Sequence, residues 1–371
     1  MPRITILVGT RPEAIKLIPV YKKLLEEVNF EIRLVSTGQH KEMLQNVFDF
    51  FGVSPQVDLG LMTKNQTLSL FTSRAFEEID KELSKNPADL VIVQGDTTTA
   101  MVAAMVGYYH QIDIAHVEAG LRTYNKYSPF PEEVNRRIIS SVANIHFAPT
   151  EKAREVLEKE GYNNIHVTGN TTIDSLLLTK RIIETNAKTY DLKFKSDLSK
   201  KGNVLITGHR RESFGEGFDI ICDAIEKLAR KYSELQFIYP VHLNPNVKDK
   251  VFSKLEEIQN IVLLPPLPYD ELVYLMMQSK LILTDSGGIQ EEAPSLNIPV
   301  VVMRNDTERM EGIEAGCSVL AGVSDGIFDL ASEILEDKRL YWKMSQAQNP
   351  YGAGDAAKKI SIVVKNHLHS L

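Results

Sequence analysis

Asp96, Glu118 and Glu132 are the carboxylates whose places in this 371-residue chain best suit acid–base chemistry. Asp96 follows the apolar run Leu90–Val93, Glu118 follows Ile112–Val117, and Glu132 opens a helical stretch after a short loop. Acidic groups gathered at adjacent strand ends raise one another's pKa, and such a set can supply a base and an acid together. Plainer readings stand beside this one. Asp is a favoured N-cap, and a glutamate in a first helical turn meets the helix dipole in any protein. No capping habit calls for Glu118.

A second group of residues suits phosphate. In Leu281–Val302 an apolar strand runs into Asp285-Ser286-Gly287-Gly288, then a short helix, then a second apolar strand. Small residues at a strand's carboxyl end let backbone N–H groups approach an anion, and the following helix start favours negative charge. Glu292, inside that helix, could accept hydrogen bonds from a diol such as ribose. Pro294 cannot donate to residue 290, so a kink or a late helix start is expected there. Gly9-Thr10-Arg11-Pro12-Glu13 follows the first strand, which puts Arg11, and Lys16 one turn on, where they could meet phosphates. His209, with Arg210 and Arg211 beside it, follows another strand, as does His242 in a Pro-rich turn. Each histidine is read either as part of an anion site or as a structural group. Arg309 could clamp phosphate, Arg304 is read as solvated, and so are His367 and His369.

These residues need a frame that brings strand ends together. Apolar runs at Ile4–Val8, Ile32–Ser36, Leu90–Val93, Ile112–Val117, Ile145–Phe147 and Ile165–Val167 alternate with helical stretches. After a break near Thr168–Asn170 the alternation resumes with Val204–Thr207, Gln236–Tyr239, Ile261–Leu263, Leu281–Leu283, Val300–Met303 and Val319–Leu320. Such alternation implies parallel sheets with right-handed crossovers. The expected fold is α/β: two Rossmann-like, doubly wound parallel-sheet domains facing a cleft, over 1–168 and 169–354. Lys188–Gly202 reads as a polar surface connection. A last helix from Asp355 is not assigned to either domain by its pattern.

Composition sets limits. At 43% hydrophobic and 25% charged the chain belongs with ordinary globular proteins. A net charge of −7 argues against a nucleic-acid partner. Ala100–Tyr109, the longest largely apolar stretch, is too short to span a bilayer, and the apolar run before Gly9 is short for a signal segment. A cytoplasmic protein with no membrane partner is expected. Cys222 and Cys317 form no C-x-x-C pair, so neither a disulfide framework nor a zinc site is indicated, and no metal is expected. Gly352-Ala353-Gly354-Asp355-Ala356-Ala357 carries the letters of a dinucleotide fingerprint but follows no strand and is read as a helix start. No cofactor is expected.

Taken together, GTRPEAIK (9–16), QGDTTTA (94–100), HVEAGLRT (116–123), SPFPEEVNR (128–136), TGN (168–170), GHRRESFG (208–215), YPVHLNP (239–245), TDSGGIQEEAPS (284–295), TER (307–309) and NPYG (349–352) resemble the non-hydrolysing UDP-N-acetylglucosamine 2-epimerases. The resemblance runs in order over essentially the whole chain. It implies a GT-B type fold whose final helix (355–371) returns to the first domain, and a homodimer. It implies that Ser286, Gly287 and Gly288 meet a diphosphate, Glu292 the ribose, and Arg11 and Arg309 further phosphate oxygens. Leu267 and Leu272 fall where the family contacts uracil, and Asp96, Glu118, Glu132 and His209 match its essential residues around the sugar. The implied partners are UDP-N-acetylglucosamine, UDP-N-acetylmannosamine and UDP.

The implied chemistry explains the residue set. The hexosamine C2 proton has no adjacent carbonyl, and no nicotinamide site is read here. Elimination remains: a carboxylate takes the proton while UDP leaves C1, giving a 2-acetamidoglucal to which UDP adds back. Which carboxylate is base and which is acid stays open. A hydrolysing epimerase and a GT-B glycosyltransferase are the alternatives. Gln39, Glu42, Arg210 and His242 match or approximate positions where some bacterial members bind a second, activating substrate molecule, although Asn65 stands where arginine is common. Met310 replaces a common proline, from which a looser turn beside Arg309 is expected.

Overall fold

A computed structural model describes the chain apart from Val28, Gln39, His40, Lys64, Asn65, Ser196, Ser370, Leu371 and the side chains of Lys41, Glu42, Met43 and Arg211. It divides into two compact units. Unit 1 is Met1–Leu177 with Gly352–Leu371, and unit 2 is Leu178–Tyr351. The first boundary between the units falls within the helix Thr171–Thr185.

Unit 1 is built on β1 (Arg3–Val8), β2 (Glu31–Ser36), β3 (Val57–Asp58), β4 (Leu90–Gln94), β5 (Asp113–Val117), β6 (Ile145–Ala148) and β7 (Ile165–Val167). They form a seven-stranded sheet in the order β3-β2-β1-β4-β5-β6-β7, every pair parallel. Unit 2 holds β8 (Asn203–Thr207), β9 (Gln236–Pro240), β10 (Ile261–Leu264), β11 (Ser279–Thr284), β12 (Val300–Val302) and β13 (Ser318–Leu320), again all parallel, in the order β10-β9-β8-β11-β12-β13. Parallel strands buried on both faces read as continuous apolar runs, which is why LVIV in β4 and VVV in β12 announce themselves. The strand β3 has two residues and no such signal, and the sequence reading missed it.

Helices cover both sheets. The stretch Ala100–Tyr109, too short for a bilayer, lies in the core helix Thr98–Tyr109, whose small residues let it approach the strands closely. A Cβ on Gly107 would sit 2.5 Å from Ile114 Cδ1. Among the described residues no helix is long and apolar enough to cross a membrane. The final helix, Ala356–His369, packs in unit 1 against Arg11–Leu25 and buries Ile360, Val364 and Leu368. Asp174 caps it, accepting from the N–H groups of Ala356 and Ala357 at 3.2 and 2.9 Å. This is the Gly352-x-Gly354 segment, and it works as the start of a helix.

Two expectations about exposed segments are corrected. His367 is not free in solvent: its Nε2 lies 2.7 Å from Asp113 Oδ2, and the His369 ring rests 6.1 Å from that of Phe30. Lys188–Gly202 is more than a surface connection. It carries the end of a helix, Ala187–Lys193, and buries Phe194, whose ring stacks on Tyr274 at 5.6 Å. The lysines masked an apolar anchor.

Candidate active site

In unit 1 the strand order reverses between β1 and β4. Loops leaving the carboxyl ends of two such strands diverge and open a crevice where ligands bind in open α/β sheets. Gly9–Thr10 leaves β1 there, and Gly95–Thr97 leaves β4. Glu13 ties the two loops. Its Oε2 accepts from the N–H groups of Gly9 (3.1 Å) and Thr10 (2.7 Å) and from Thr10 Oγ1 (2.7 Å), while Oε1 accepts from Thr97 Oγ1 at 2.7 Å. Burial pushes the Glu13 carboxyl above its ordinary range, and the hydrogen bonds oppose the shift. Residue 9 must lack a side chain, because a Cβ would lie 2.2 Å from Thr99 Oγ1 and 2.8 Å from Thr37 Oγ1.

Glu118 stands just past β5 with a φ of +65°, a conformation that costs a residue with a side chain. Backbone held there by its surroundings often marks a functional position. Lys16 Nζ meets both carboxylate oxygens, at 2.8 and 2.7 Å, and the Gln94 side-chain amide also donates to Oε2. Lys16 is thus engaged with a carboxylate of its own unit, whereas Arg11 is exposed on the first turn of its helix.

Asp96 is not the N-cap that its neighbourhood allowed. Thr97 caps the following helix, accepting from the Ala100 N–H at 3.0 Å. Asp96 instead pairs with Arg136 Nη2 at 2.5 Å, and Asn135 donates to its carbonyl at 2.9 Å. Asn135 and Arg136 lie on the helix Glu132–Val142, whose first residue is the third carboxylate. Oε2 of Glu132 is buried and has no hydrogen-bond partner among the described residues. Its neighbour Glu133 accepts from the N–H groups of Thr123 (2.9 Å) and Tyr124 (3.1 Å) and from Arg136 and Arg137, which fixes the loop ahead of the helix. Burial alone would raise Glu133, but these bonds outweigh it and hold its carboxyl below the usual range.

One chain of contacts therefore gathers Asp96, Glu118 and Glu132 in unit 1. Gln94 pairs in register with Val117, so the β4 and β5 ends lie side by side. The buried His116 steadies that junction, its Nε2–H donating to the Gly95 carbonyl at 2.7 Å. Burial drives the His116 ring down to about 3, so it stays neutral.

Unit 2 repeats the plan. Its strand order reverses between β8 and β11, and a buried carboxylate again ties the two loops. Asp285 Oδ2 accepts from the N–H groups of His209 and Arg210, both at 2.7 Å. The His209 ring stacks on His242 at 5.2 Å and 12°. Burial lowers its pKa, Asp285 raises it, and His242 and Arg210 lower it further, with a net fall. His242 also does the structural work weighed for it, accepting the Asn244 N–H at 3.1 Å.

Ser286 heads the helix Gly287–Glu292, and its hydroxyl makes no capping bond. The Arg309 guanidinium lies over Gly287, where a Cβ would come within 2.9 Å of Cζ, and it pairs with Glu291 at 3.0 Å. Glu292 is buried and accepts from Tyr269 Oη at 2.8 Å. Leu267 and Leu272 are half-buried around the start of the helix Tyr269–Met277. Pro294 neither kinks that helix nor delays it: the α-helix stops at Glu292 and tightens into a 3₁₀ turn, Ala293–Leu296, which does not need the missing donor. Arg304, read as solvated, is buried between Glu212 (2.6 Å) and Glu308 (3.0 Å). Burial opposes ionisation of Glu308, but Arg304 holds it down at about 2. Met310 starts a helix without the family's proline, and Tyr351 Oη secures that turn by donating to the Arg309 carbonyl (3.1 Å) and accepting the Gly312 N–H (3.0 Å). Gln39 and the Glu42 side chain lie outside the described residues, as does Asn65. Among the described residues no three His, Cys, Asp or Glu side chains are grouped to hold a metal ion.

The sequence model of the family described as UDP-N-acetylglucosamine 2-epimerase matches residues 22–365. The chain belongs to this family. A Yersinia pestis UDP-N-acetylglucosamine 2-epimerase is 47% identical over 97% of both chains. Among solved structures, the Neisseria meningitidis UDP-GlcNAc 2-epimerase bound to UDP-GlcNAc is 41% identical, with a TM-score of 0.90 and full coverage of both chains. An S. aureus protein solved with UDP is 40% identical, with a TM-score of 0.89 over 100% of this chain and 98% of its own. The two-sheet α/β architecture is thus the architecture of the family. Glu13, Glu133, His116 and Asp285 were missed as individual residues. Each is a polar group buried among backbone N–H or C=O groups, and only coordinates reveal that environment.

Proposed function

We propose that this protein reversibly epimerises UDP-N-acetylglucosamine at C2 to UDP-N-acetylmannosamine, without hydrolysis, by eliminating UDP to a 2-acetamidoglucal and adding it back. The reading assigns proton transfer at C2 to Asp96, Glu118 and Glu132. It assigns the nucleotide to Ser286, Gly287, Gly288, Glu292, Arg309, Leu267 and Leu272, with Arg11 on a phosphate oxygen and His209 beside the leaving diphosphate. Lys16 holds Glu118 in place until substrate arrives, and can turn to a phosphate when it does. The observation that carries this reading is three carboxylates at the ends of β4 and β5 and at the start of the helix that follows, with Glu118 held in a left-handed conformation and one Glu132 oxygen buried without a partner among the described residues. A buried, unpaired carboxylate oxygen is costly to keep and is suited to take a proton.

The chemistry favours elimination because the C2 proton becomes removable only as the C1–O bond breaks and its electron pair leaves with UDP. Cationic and hydrogen-bonding groups that meet the diphosphate lower that barrier. Each well-placed acid or base contributes on the order of 10² to 10⁴ in rate. The reading extends to a cytoplasmic homodimer whose product feeds a bacterial surface polysaccharide. Arg210 and His242, with Gln39 and Glu42, are assigned to binding a second substrate molecule. Phosphorus and proton NMR of the reaction tests the proposal. UDP-N-acetylmannosamine accumulating to equilibrium supports it; release of free N-acetylmannosamine and UDP establishes the hydrolysing reaction instead.

A further inference from the structure

Asp285 has two oxygens in different circumstances. Oδ2 is saturated by two backbone N–H groups at 2.7 Å, those of His209 and Arg210. Oδ1 is fully buried and makes no hydrogen bond among the described residues. It faces the His209 ring, with Nδ1 3.8 Å away. A desolvated carboxylate oxygen left open costs free energy, and a histidine nitrogen just beyond hydrogen-bond reach is its nearest remedy. Catalytic hydrogen bonds are often long in the unliganded state and tighten when a ligand arrives.

We infer that Asp285 is a positioning residue for His209, forming with it an Asp–His pair that directs the Nε2–H of the ring toward a phosphate oxygen of the nucleotide. The inference rests on the proposed reading that His209 meets the leaving diphosphate. Because Oδ2 is pinned by the backbone that carries His209, ring and carboxylate move as one piece. A small rotation of the ring about its side-chain bonds brings Nδ1–H onto Oδ1. The imidazolium, which alone carries protons on both ring nitrogens, is then the form that presents Nε2–H to the ligand. The charged and titratable groups facing the ring are Asp285, which favours its protonation, and His242 and Arg210, which oppose it. Asp285 is thus what keeps the ring able to carry positive charge against the two neighbours that oppose it. The sign follows directly: without its charge the ring titrates at lower pH.

The test uses Asp285→Asn, His209→Gln and the double variant in the full-length protein. The asparagine keeps an acceptor for both backbone N–H groups and removes only the charge. Nitrogen-15 NMR of the histidine rings follows the titration of His209 without reference to turnover. In Asp285→Asn the His209 pKa falls by roughly 1–3 pH units, and C2 exchange at neutral pH falls at least tenfold, with the alkaline side of the pH profile shifted the same way. Adding Asp285→Asn to His209→Gln then changes exchange little. An unchanged His209 titration, or losses that simply multiply in the double variant, overturns the inference. If Asp285→Asn does not fold, Asp285→Thr, which also removes the charge, gives a second reading: folded protein with an unaltered His209 titration likewise overturns it. Wild-type protein that shows no C2 exchange refutes the epimerase reading, while the titration still decides the Asp–His pair.

Discussion

Glu118 concentrates the residue-scale evidence. Its left-handed φ and its contacts with Lys16 and Gln94 fix a carboxylate at the β5 end. Glu118→Gln should remove C2 exchange, by about 10² or more, while UDP affinity measured by calorimetry stays near wild type. Glu292→Ala should do the reverse, weakening UDP binding by roughly tenfold or more for the lost charge-assisted bonds and freeing Tyr269. The candidate residues at strand ends within small-residue turns have positions that were legible in the sequence. Arg304 was not, because only its burial between Glu212 and Glu308 separates a structural clamp from a solvated arginine. His116 gives a pH prediction. Its folded pKa of about 3 lies below the ordinary value of 6.5, so the unfolded chain takes up the proton first. Stability from this group is present above 6.5 and drains as pH falls toward 3, by a few kcal/mol on the order expected for a fully buried ring. Thermal unfolding against pH should fall less steeply over that window in His116→Gln than in wild type.

At the scale of elements, both sheets tie the two loops that diverge where strand order reverses with one buried carboxylate. In unit 1 Glu13 spans from the β1 loop, which leads into Arg11, to the β4 loop, which carries Asp96. Glu13→Ala should therefore lower kcat by ten- to a hundredfold in protein that remains folded, while Glu13→Gln, able to remake most of the bonds, should lose less than Ala. Steady-state kinetics beside a melting curve separates that outcome from simple loss of folded protein. Gly9→Ala should be worse for stability, costing about 1–3 kcal/mol by overpacking against Thr99 and Thr37. The element pattern was largely readable. Apolar runs marked the long strands, but two-residue β3 carried no periodicity. The helix Ala187–Lys193 hid among lysines because Phe194 and Tyr190, the residues that anchor it, look incidental without their partners Tyr274 and Asp270.

At the scale of the molecule, the proposed function divides its labour between the two parallel-sheet units: it assigns the carboxylates for the sugar to unit 1, and a glycine turn with Glu292, Arg309 and the Asp285–His209 pair for the nucleotide to unit 2. Repetition of one plan explains why a single alternating pattern runs through the sequence and why domain number was legible. The final helix was different. Its own periodicity fits either unit, and Asp174, which caps it, gives no advance sign of that role. The division of labour predicts that a fault in unit 1 lowers the chemical event at C2 directly, whereas one in unit 2 lowers it through weaker nucleotide binding. Incubation with UDP-N-acetylglucosamine in D₂O, followed by proton NMR, tests this most directly. The account predicts deuterium at C2 of recovered UDP-N-acetylglucosamine as well as in UDP-N-acetylmannosamine, and loss of both signals of exchange in Glu118→Gln. Recovered substrate that keeps its C2 proton while product forms, or exchange that survives in Glu118→Gln, would contradict it.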